Sequence, residues 1–428
     1  MADTTSRKPK AAATHIGNHK LDPSTMMMGH GYDAALSEGS LKPPIFPTST
    51  FVFERAADGK LFFEGITGRR ANAGDGLVYS RFNNPNQNIL EDRLKLWEDA
   101  EESLAFSSGM TAITTLFLTF VRPGDVIVHS GPLYAATESI IAKILSQFGI
   151  KYVDFPAGAT RAEIDEVLDR AKKMGNVSLI YLESPANPTN ALVDVEAVRD
   201  ARAAAFPADA LPPIAIDNTF LGPLWARPLD QGADISVYSL TKYAGGHSDL
   251  VAGGLTGKKA LLDKVRMIRN TMGGICDPNT AWMLLRSLET LELRMSRAGE
   301  NAAKVCAFLR DHPKVETVGY LGFLEPGTRQ KDIYDRHCLG AGSTFSLYLK
   351  GGEREAFAFL DALKIAKLAV SLGGTETLAS APAAMTHLSV PDDRKAALGI
   401  SDNLVRISIG VEKAEDLIAD FDNALNAI

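Results

Sequence analysis

The sequence predicts an α/β fold: a mostly parallel central sheet with helices on both faces, followed by a smaller C-terminal α/β domain. Three observations carry that prediction. From Leu77 to about Thr271, short apolar runs of strand length alternate with longer segments of helical period, which is the rhythm of βαβ units. Two runs, Ile214-Ala215-Ile216-Asp217 and Ile235-Ser236-Val237-Tyr238-Ser239, end in an acid and a hydroxyl. In such sheets ligands bind beyond the carboxyl ends of the strands. A stretch with Leu284, Leu285, Leu288, Leu291 and Leu293 then separates this block from a second group of apolar runs.

The elements follow in order. Residues up to about Asp75 read as an irregular arm, because Lys42-Pro43-Pro44-Ile45-Phe46-Pro47 denies regular helix or central strand. Asn86 to Trp97 reads as a helix, Ser103 to Phe106 as a strand and Met110 to Phe120 as an apolar helix. Val126 to His129, Tyr152 to Phe155, Ser178 to Glu183, Ile214 to Asp217 and Ile235 to Ser239 read as strands. Tyr134 to Phe148, Arg161 to Met174 and Val195 to Ala205 are the helices among them. Pro278 to Arg310 reads as one long helix. Phe345 to Leu349, Lys367 to Val370 and Val405 to Ile409 are strands of the second domain, closed by a helix from Lys413 to Leu425. The expected divisions are 1–75, 76–285 and 286–428.

Composition narrows the class. A hydrophobic content of 45% and a charged content of 23% are those of a soluble globular protein. The net charge of -7 argues against nucleic acid and anionic membrane surfaces as partners. No apolar run is long enough to span a bilayer. Cys276, Cys306 and Cys338 are few, odd in number and widely spaced, so neither a disulfide framework nor a metal site is expected. A reducing cytoplasm fits this usage. The polar, basic start lacks the apolar stretch of a secretory signal.

Ser239-Leu240-Thr241-Lys242-Tyr243 carries the chemistry. An amine past a strand end, two hydroxyls before it and the acid Asp217 form the set that pyridoxal phosphate (PLP) needs. The lysine forms a Schiff base with its aldehyde, the acid keeps its ring nitrogen protonated and the hydroxyls hold its phosphate. Each residue alone has a plainer reading. Lys242 reads as a solvated surface amine, Asp217 and Ser108 as helix caps, and Arg406 as half of an internal ion pair. A free lysine has a pKa of roughly 10.4, so a working site must depress it.

Further motifs stand in a definite order: Tyr79-Ser80-Arg81, Ser107-Ser108-Gly109-Met110, Gly131-Pro132-Leu133-Tyr134, Glu183-Ser184-Pro185-Ala186-Asn187-Pro188-Thr189 and Leu404-Val405-Arg406-Ile407-Ser408. With them, the chain from about Lys42 onward resembles the Cys/Met-metabolism (trans-sulfuration) PLP-dependent enzymes. That family includes methionine γ-lyase, cystathionine γ-lyase, cystathionine γ-synthase and the homoserine-ester sulfhydrylases. The resemblance implies an aspartate-aminotransferase-like fold, PLP as cofactor, an amino-acid substrate and a homotetramer, a dimer of dimers with shared active sites. It also implies that 1–75 contacts a neighbouring subunit, 76–285 binds PLP and 286–428 holds the substrate carboxylate.

The same resemblance assigns residues. Lys242 would carry the Schiff base and move the Cα proton. Tyr134 would stack on the cofactor ring and protonate the γ leaving group. Asn187 would meet the phenolic oxygen and Asp217 the ring nitrogen. The amides of Gly109 and Met110, with the hydroxyls of Ser239 and Thr241, would hold the phosphate. Tyr79 and Arg81 would reach the phosphate of the neighbouring subunit. Ser371 and Arg406 would take the substrate carboxylate, with Val370 facing the distal end. His247 and Asp249 are expected to shape the loop after Lys242, and His387 to be structural.

Which member the chain resembles most rests on opposed residues. Val370 is apolar where cystathionine-handling members usually carry a glutamate, which suits L-methionine and a γ-elimination giving 2-oxobutyrate, ammonia and methanethiol. Ala136 stands where many methionine γ-lyases have a cysteine, and Gly246-His247-Ser248-Asp249 resembles the cystathionine enzymes. Glu376 is a candidate partner for a distal charge. The alternatives are γ-replacement on O-acetyl- or O-succinylhomoserine, and a cofactor-free binding protein on the same scaffold. Asn83-Asn84-Pro85, Ala379-Ser380-Ala381-Pro382 and an apparent insertion from Phe62 to Gly76 depart from the family's pattern.

Overall fold

Residues 13–70, 76–388 and 390–428 are described by a computed structural model. The arm's remaining residues, including 71–75 of the apparent insertion, lie outside it. A two-stranded ribbon, β1 (His15–Ile16) and β2 (His19–Lys20), opens the described chain. The larger sheet contains β3 (Glu102–Phe106), β4 (Val126–Gly131), β5 (Lys151–Pro156), β6 (Val177–Glu183), β7 (Ile214–Asp217), β8 (Ile235–Ser239) and β9 (Gly253–Gly257). Its order is β3-β9-β8-β7-β6-β4-β5. All neighbours from β8 to β5 are parallel, and β9 runs antiparallel to both β3 and β8.

Alternation along the strands explains the two covered faces. Ile127, Leu179, Tyr181, Ala215 and Val237 pack with the helices Gly109–Phe120 and Lys259–Met272. Val126, Val128, Ile180, Leu182 and Ile216 point the other way and pack with Arg161–Met174 and Val195–Ala205. Successive residues therefore serve opposite cores, and the strands read as continuous apolar runs.

Strand β9 escapes the sequence pattern because glycine is depleted in strands and packs no side chain. Here the space demands it: a side chain at Gly253 would collide with the Ser108 carbonyl, and one at Gly257 with that of Asp234.

The smaller sheet contains β10 (Val315–Gly319), β11 (Thr344–Leu349), β12 (Lys367–Leu368), β13 (Leu378–Ser380) and β14 (Leu404–Ser408), in the order β10-β11-β14-β13-β12. Phe345, Leu347, Val405 and Ile407 pack against Leu291–Arg310, Glu353–Ala362 and Ala414–Leu425. Among the described residues no helix is long and apolar enough to cross a membrane.

Several elements differ from the sequence reading. The arm contains a helix, Ala56–Ile66, that runs into the apparent insertion. The helix read from Asn86 is α-helical over Pro85–Leu94 and tightens to a 3₁₀ turn at Lys95–Glu98. The segment after Tyr134 is an α-helix only over Ala135–Ser139. It then widens to a π turn at Ile140–Ile144, and the adjacent Ile140 and Ile141 are both buried. The long helix breaks into Pro278–Leu288 and Leu291–Arg310. At that break the Ser287 carbonyl accepts from Arg294 and Thr290 side chains instead of continuing the ladder. The strand read as Lys367 to Val370 stops at Leu368, three residues before Ser371 turns to a positive φ of 116°. Strands β10 and β13 and the helices Arg329–His337 and Glu353–Ala362 belong to stretches that carried no assignment from sequence.

Candidate active site

Three strands of the larger sheet end side by side with polar residues: β6 at Glu183, β7 at Asp217 and β8 at Ser239. Beyond them lies a cavity of about 320 Å³. Gly109, Met110, Tyr134, Asn187, Asp217, Ser239, Thr241, Lys242, Val370, Ser371 and Arg406 all line it. Of the residues expected to hold cofactor or substrate, only Tyr79 and Arg81 lie outside it. Those two border a separate groove with Phe51, Val52 and Phe53, where Val52 is 93% exposed. Arg81 donates there to the Asn270 carbonyl and lies over the Phe82 ring at 4.5 Å.

One end of the cavity is built for an anion. Ser108 caps the helix Gly109–Phe120, its hydroxyl accepting from the Thr111 amide at 3.0 Å. The helix's first amides, at Gly109 and Met110, have no partner within the helix and carry its positive pole. A Cβ at Gly109 would lie 3.1 Å from that of Ser239, so glycine lets the helix start close over β8. The Thr241 hydroxyl is fixed by the main chain of Ala252, whose amide donates to it at 3.0 Å.

The other end holds the amine and a guanidinium. Lys242 Nζ donates to Ser371 Oγ at 2.6 Å. Burial, reinforced by the nearby Arg406 charge, lowers the Lys242 amine to about 8. The loop after it is braced from below. Arg294 donates to the Tyr243 carbonyl at 2.8 Å, and a side chain at Gly246 would collide with that guanidinium. His247 pairs with the Gly245 carbonyl at 2.8 Å, within the loop that follows Lys242.

Arg406 is only 4% exposed, and it donates to Asn187 Oδ1 at 3.2 Å and to the Ser371 carbonyl at 2.9 Å. Among the described residues it forms no ion pair with a carboxylate. Burial lowers it to about 10. A buried cation without a counter-ion is costly, so the site is prepared for an incoming anion.

Two buried carboxyls face the cavity from neighbouring strands. Glu183 and Asp217 are register partners in β6 and β7. Burial, and then the Asp217 charge, push Glu183 well above the usual carboxylate range. Burial raises Asp217 as well, against the Thr219 hydrogen bonds that favour its charged form. A cationic group beside Asp217 would relieve both.

Glu183 is one of the cavity residues, with Thr219, Phe220, Val251, Leu372 and Thr386, that carried no role from the sequence. Its signal was present, since it opens the Glu183-to-Thr189 motif and ends an apolar strand. His387, read as structural, is buried on the segment whose Thr386 lines the cavity. Burial and Arg406 lower it to about 4.

Asp194, Glu196 and His337 also converge elsewhere. There the positive charge comes from Arg336, which lies 2.8 Å from Asp194 and 2.5 Å from Glu196.

An amine held below its ordinary pKa, a buried acid, free helix amides and two hydroxyls are the donor set of PLP, and they fit one cavity. Residues 24–426 match the sequence pattern of the Cys/Met metabolism PLP-dependent enzymes. The chain belongs to that family. It is 38% identical over 409 residues to the L-methionine gamma-lyase of Pseudomonas deceptionensis, covering 95% of this chain and 97% of that one. It is 36% identical over 406 residues to the cystathionine gamma-lyase of Bacillus subtilis, covering 94% and 99%. The cystathionine gamma synthase of Xanthomonas oryzae, solved with aminoacrylate and cysteine, superimposes with a TM-score of 0.84 at 30% identity, covering 95% of this chain and 98% of that one. The protein is therefore a PLP-dependent enzyme of the γ-lyase and γ-synthase type, acting on an amino acid, with the α/β fold of the trans-sulfuration enzymes.

Proposed function

We infer that this family member catalyses γ-elimination on L-methionine, giving 2-oxobutyrate, ammonia and methanethiol. The observation that carries the reading is the apolar part of the cavity lining, made by Val251, Val370, Leu372 and Phe220. Glu376, the candidate partner for a distal amino group, is not among the lining residues; its carboxylate accepts from Ser248 and Thr375. A thioether suits such a wall, and a charged distal ammonium finds no counter-ion in it. The L-methionine gamma-lyases of P. deceptionensis and Fusobacterium nucleatum, at 38% and 39% identity, support the same substrate.

When bound, PLP supplies an electron sink for the charge left at Cα. The chain's own residues do the rest. The amides of Gly109 and Met110 and the hydroxyls of Ser239 and Thr241 would hold the phosphate, Asp217 would keep the ring nitrogen protonated, and Asn187 would meet the phenolic oxygen. Arg406 and Ser371 orient the substrate through its carboxylate. Lys242, whose pKa of about 8 suits proton transfer near neutrality, would remove the Cα proton, and loss of a second proton from Cβ would supply the electron pair that expels the γ-sulfur. Tyr134, a partly exposed residue of the cavity lining, would pack against the cofactor and deliver a proton to the departing sulfur.

Tyr79 and Arg81 act on the phosphate of a second copy. Their position outside the cavity, in a groove whose Val52 stands almost fully exposed, supports a segment just past the arm that completes its partner's site within a dimer of dimers. The divisions 1–75, 76–285 and 286–428 then correspond to arm, cofactor-binding domain and carboxylate-binding domain.

Ala136 favours a second reading, γ-replacement on O-acetyl- or O-succinylhomoserine, because it leaves a small residue in the helix that follows Tyr134. The test is release of 2-oxobutyrate from L-methionine by purified, PLP-loaded protein, beside O-acetylhomoserine with a thiol. Turnover of methionine supports elimination. Turnover of the ester alone moves the function to replacement.

A further inference from the structure

Glu183 is the last residue of β6 and only 3% exposed. Both of its carboxyl oxygens are used. Oε2 accepts the Tyr134 amide at 2.7 Å, and Oε1 accepts the Asn187 amide at 3.0 Å. Those amides belong to different loops, one after β4 and one after β6. The Glu183 amide itself donates to Ser130 Oγ at 3.0 Å, which ties it to the end of β4. The titratable groups acting on this carboxyl are Asp217 from β7 and Glu138 from the helix after Tyr134, and it acts in turn on Tyr181 of its own strand. No lysine or arginine is among its hydrogen-bond partners in the described residues.

A buried carboxyl among other acids, with no cation, is poor economy for stability alone. What it does achieve is geometric. Among the described residues the Tyr134 phenol has no hydrogen-bond partner, the residue is 41% exposed, and its main chain is held by Glu183 and by the Glu138 amide of the following helix. Asn187 carries the oxygen that meets Arg406.

We propose that Glu183 is a positioning residue: one carboxyl group fixes the main chains of Tyr134 and Asn187, so that the stacking ring and the carboxamide share a common reference beside Asp217. This rests on the reading of the cavity as the PLP site. Glu183 touches neither reacting atom and acts through the two residues it holds.

The test is Glu183→Gln, which keeps the shape but replaces one acceptor oxygen by a donor facing an amide. Four quantities are read: PLP affinity of the apoprotein, visible circular dichroism of the bound cofactor, kcat and KM separately, and the thermal midpoint of the apoprotein. The expected result is a thermal midpoint close to that of the parent, a weakened dichroic band, and PLP affinity reduced roughly tenfold for one lost hydrogen bond. The loss in turnover should fall on kcat, with KM little changed. Glu183→Asp, which retains the carboxyl but is too short to reach both amides, should show the same split and serves where the glutamine variant folds poorly. Parental affinity, dichroism and kcat in both variants overturn the proposal. Loss of cofactor that merely follows a collapsed thermal midpoint also overturns it, in favour of a structural role. Failure of the parent protein to bind PLP overturns the reading of the cavity instead.

Discussion

Lys242 Nζ lies 2.6 Å from Ser371 Oγ. That contact joins the loop after β8 to the segment between β12 and β13, so the amine is positioned by both sheets at once. Ser371 holds its place with φ at 116°, a region that side-chain-bearing residues rarely adopt and that commonly marks a functional constraint.

The first prediction concerns this amine. Its folded pKa of about 8 lies below the ordinary 10.5. The unfolded chain therefore keeps a proton that the folded chain gives up between those values, and apoprotein stability should rise as pH climbs from about 8 toward 10.5. Urea denaturation of the apoprotein at several pH values measures this. Lys242→Met should remove that slope and the yellow absorbance of the PLP-loaded protein. A slope unchanged in the variant would assign it to another group.

Arg406 yields the second. It is buried without an acidic partner, so its charge is available to a carboxylate. Arg406→Lys keeps the charge but loses the planar fork. We expect kcat/KM for methionine to fall on the order of a hundredfold, as for other buried charge-assisted contacts, with KM rising and the cofactor absorbance retained. Steady-state kinetics with a parallel spectrum decides. Unchanged KM would remove Arg406 from substrate binding.

How much of this was legible in the sequence depended on what each element spends its residues on. Ile214–Asp217 and Ile235–Ser239 were readable to the residue because they are buried on both faces and end in chemistry. Strand β9 was not, since its glycines are dictated by the Ser108 and Asp234 carbonyls that only the fold brings close. The break at Glu289 and Thr290 was hidden because Leu288 and Leu291 keep the apolar pattern running across it. In the site, side chains that act directly stood out as motif letters. Glu183 acts through backbone amides of residues 49 and 4 positions away, and no sequence spacing announces that.

Val370 carries the third prediction. It lines the cavity and is 58% exposed at its open side. Placing a carboxylate there supplies the counter-ion that the distal wall lacks. Val370→Glu should lower kcat/KM for L-methionine about tenfold, the scale of placing a charge beside an apolar group. It should raise turnover of L-cystathionine, whose distal ammonium gains a partner. Comparing the two substrates on parent and variant checks it, and a fall for both would mean that residue 370 governs packing instead of recognition.

The last prediction uses the separation of Tyr79 and Arg81 from the cavity that holds Lys242. If the segment carrying Arg81 serves a neighbouring copy, Arg81→Ala and Lys242→Ala are each nearly inactive as homo-oligomers, for different reasons. Each Arg81→Ala subunit has an intact amine but offers its neighbour no guanidinium. Each Lys242→Ala subunit has no amine but still offers the guanidinium. Mixed oligomers then contain one site with both residues for every site with neither, and activity should return to about a quarter of the parent level when equal amounts are unfolded and reassembled together, by binomial mixing of two subunits around shared sites. Activity that stays at the level of the separate variants after reassembly would place Arg81 in its own subunit's chemistry, and the exposed arm would then need another explanation.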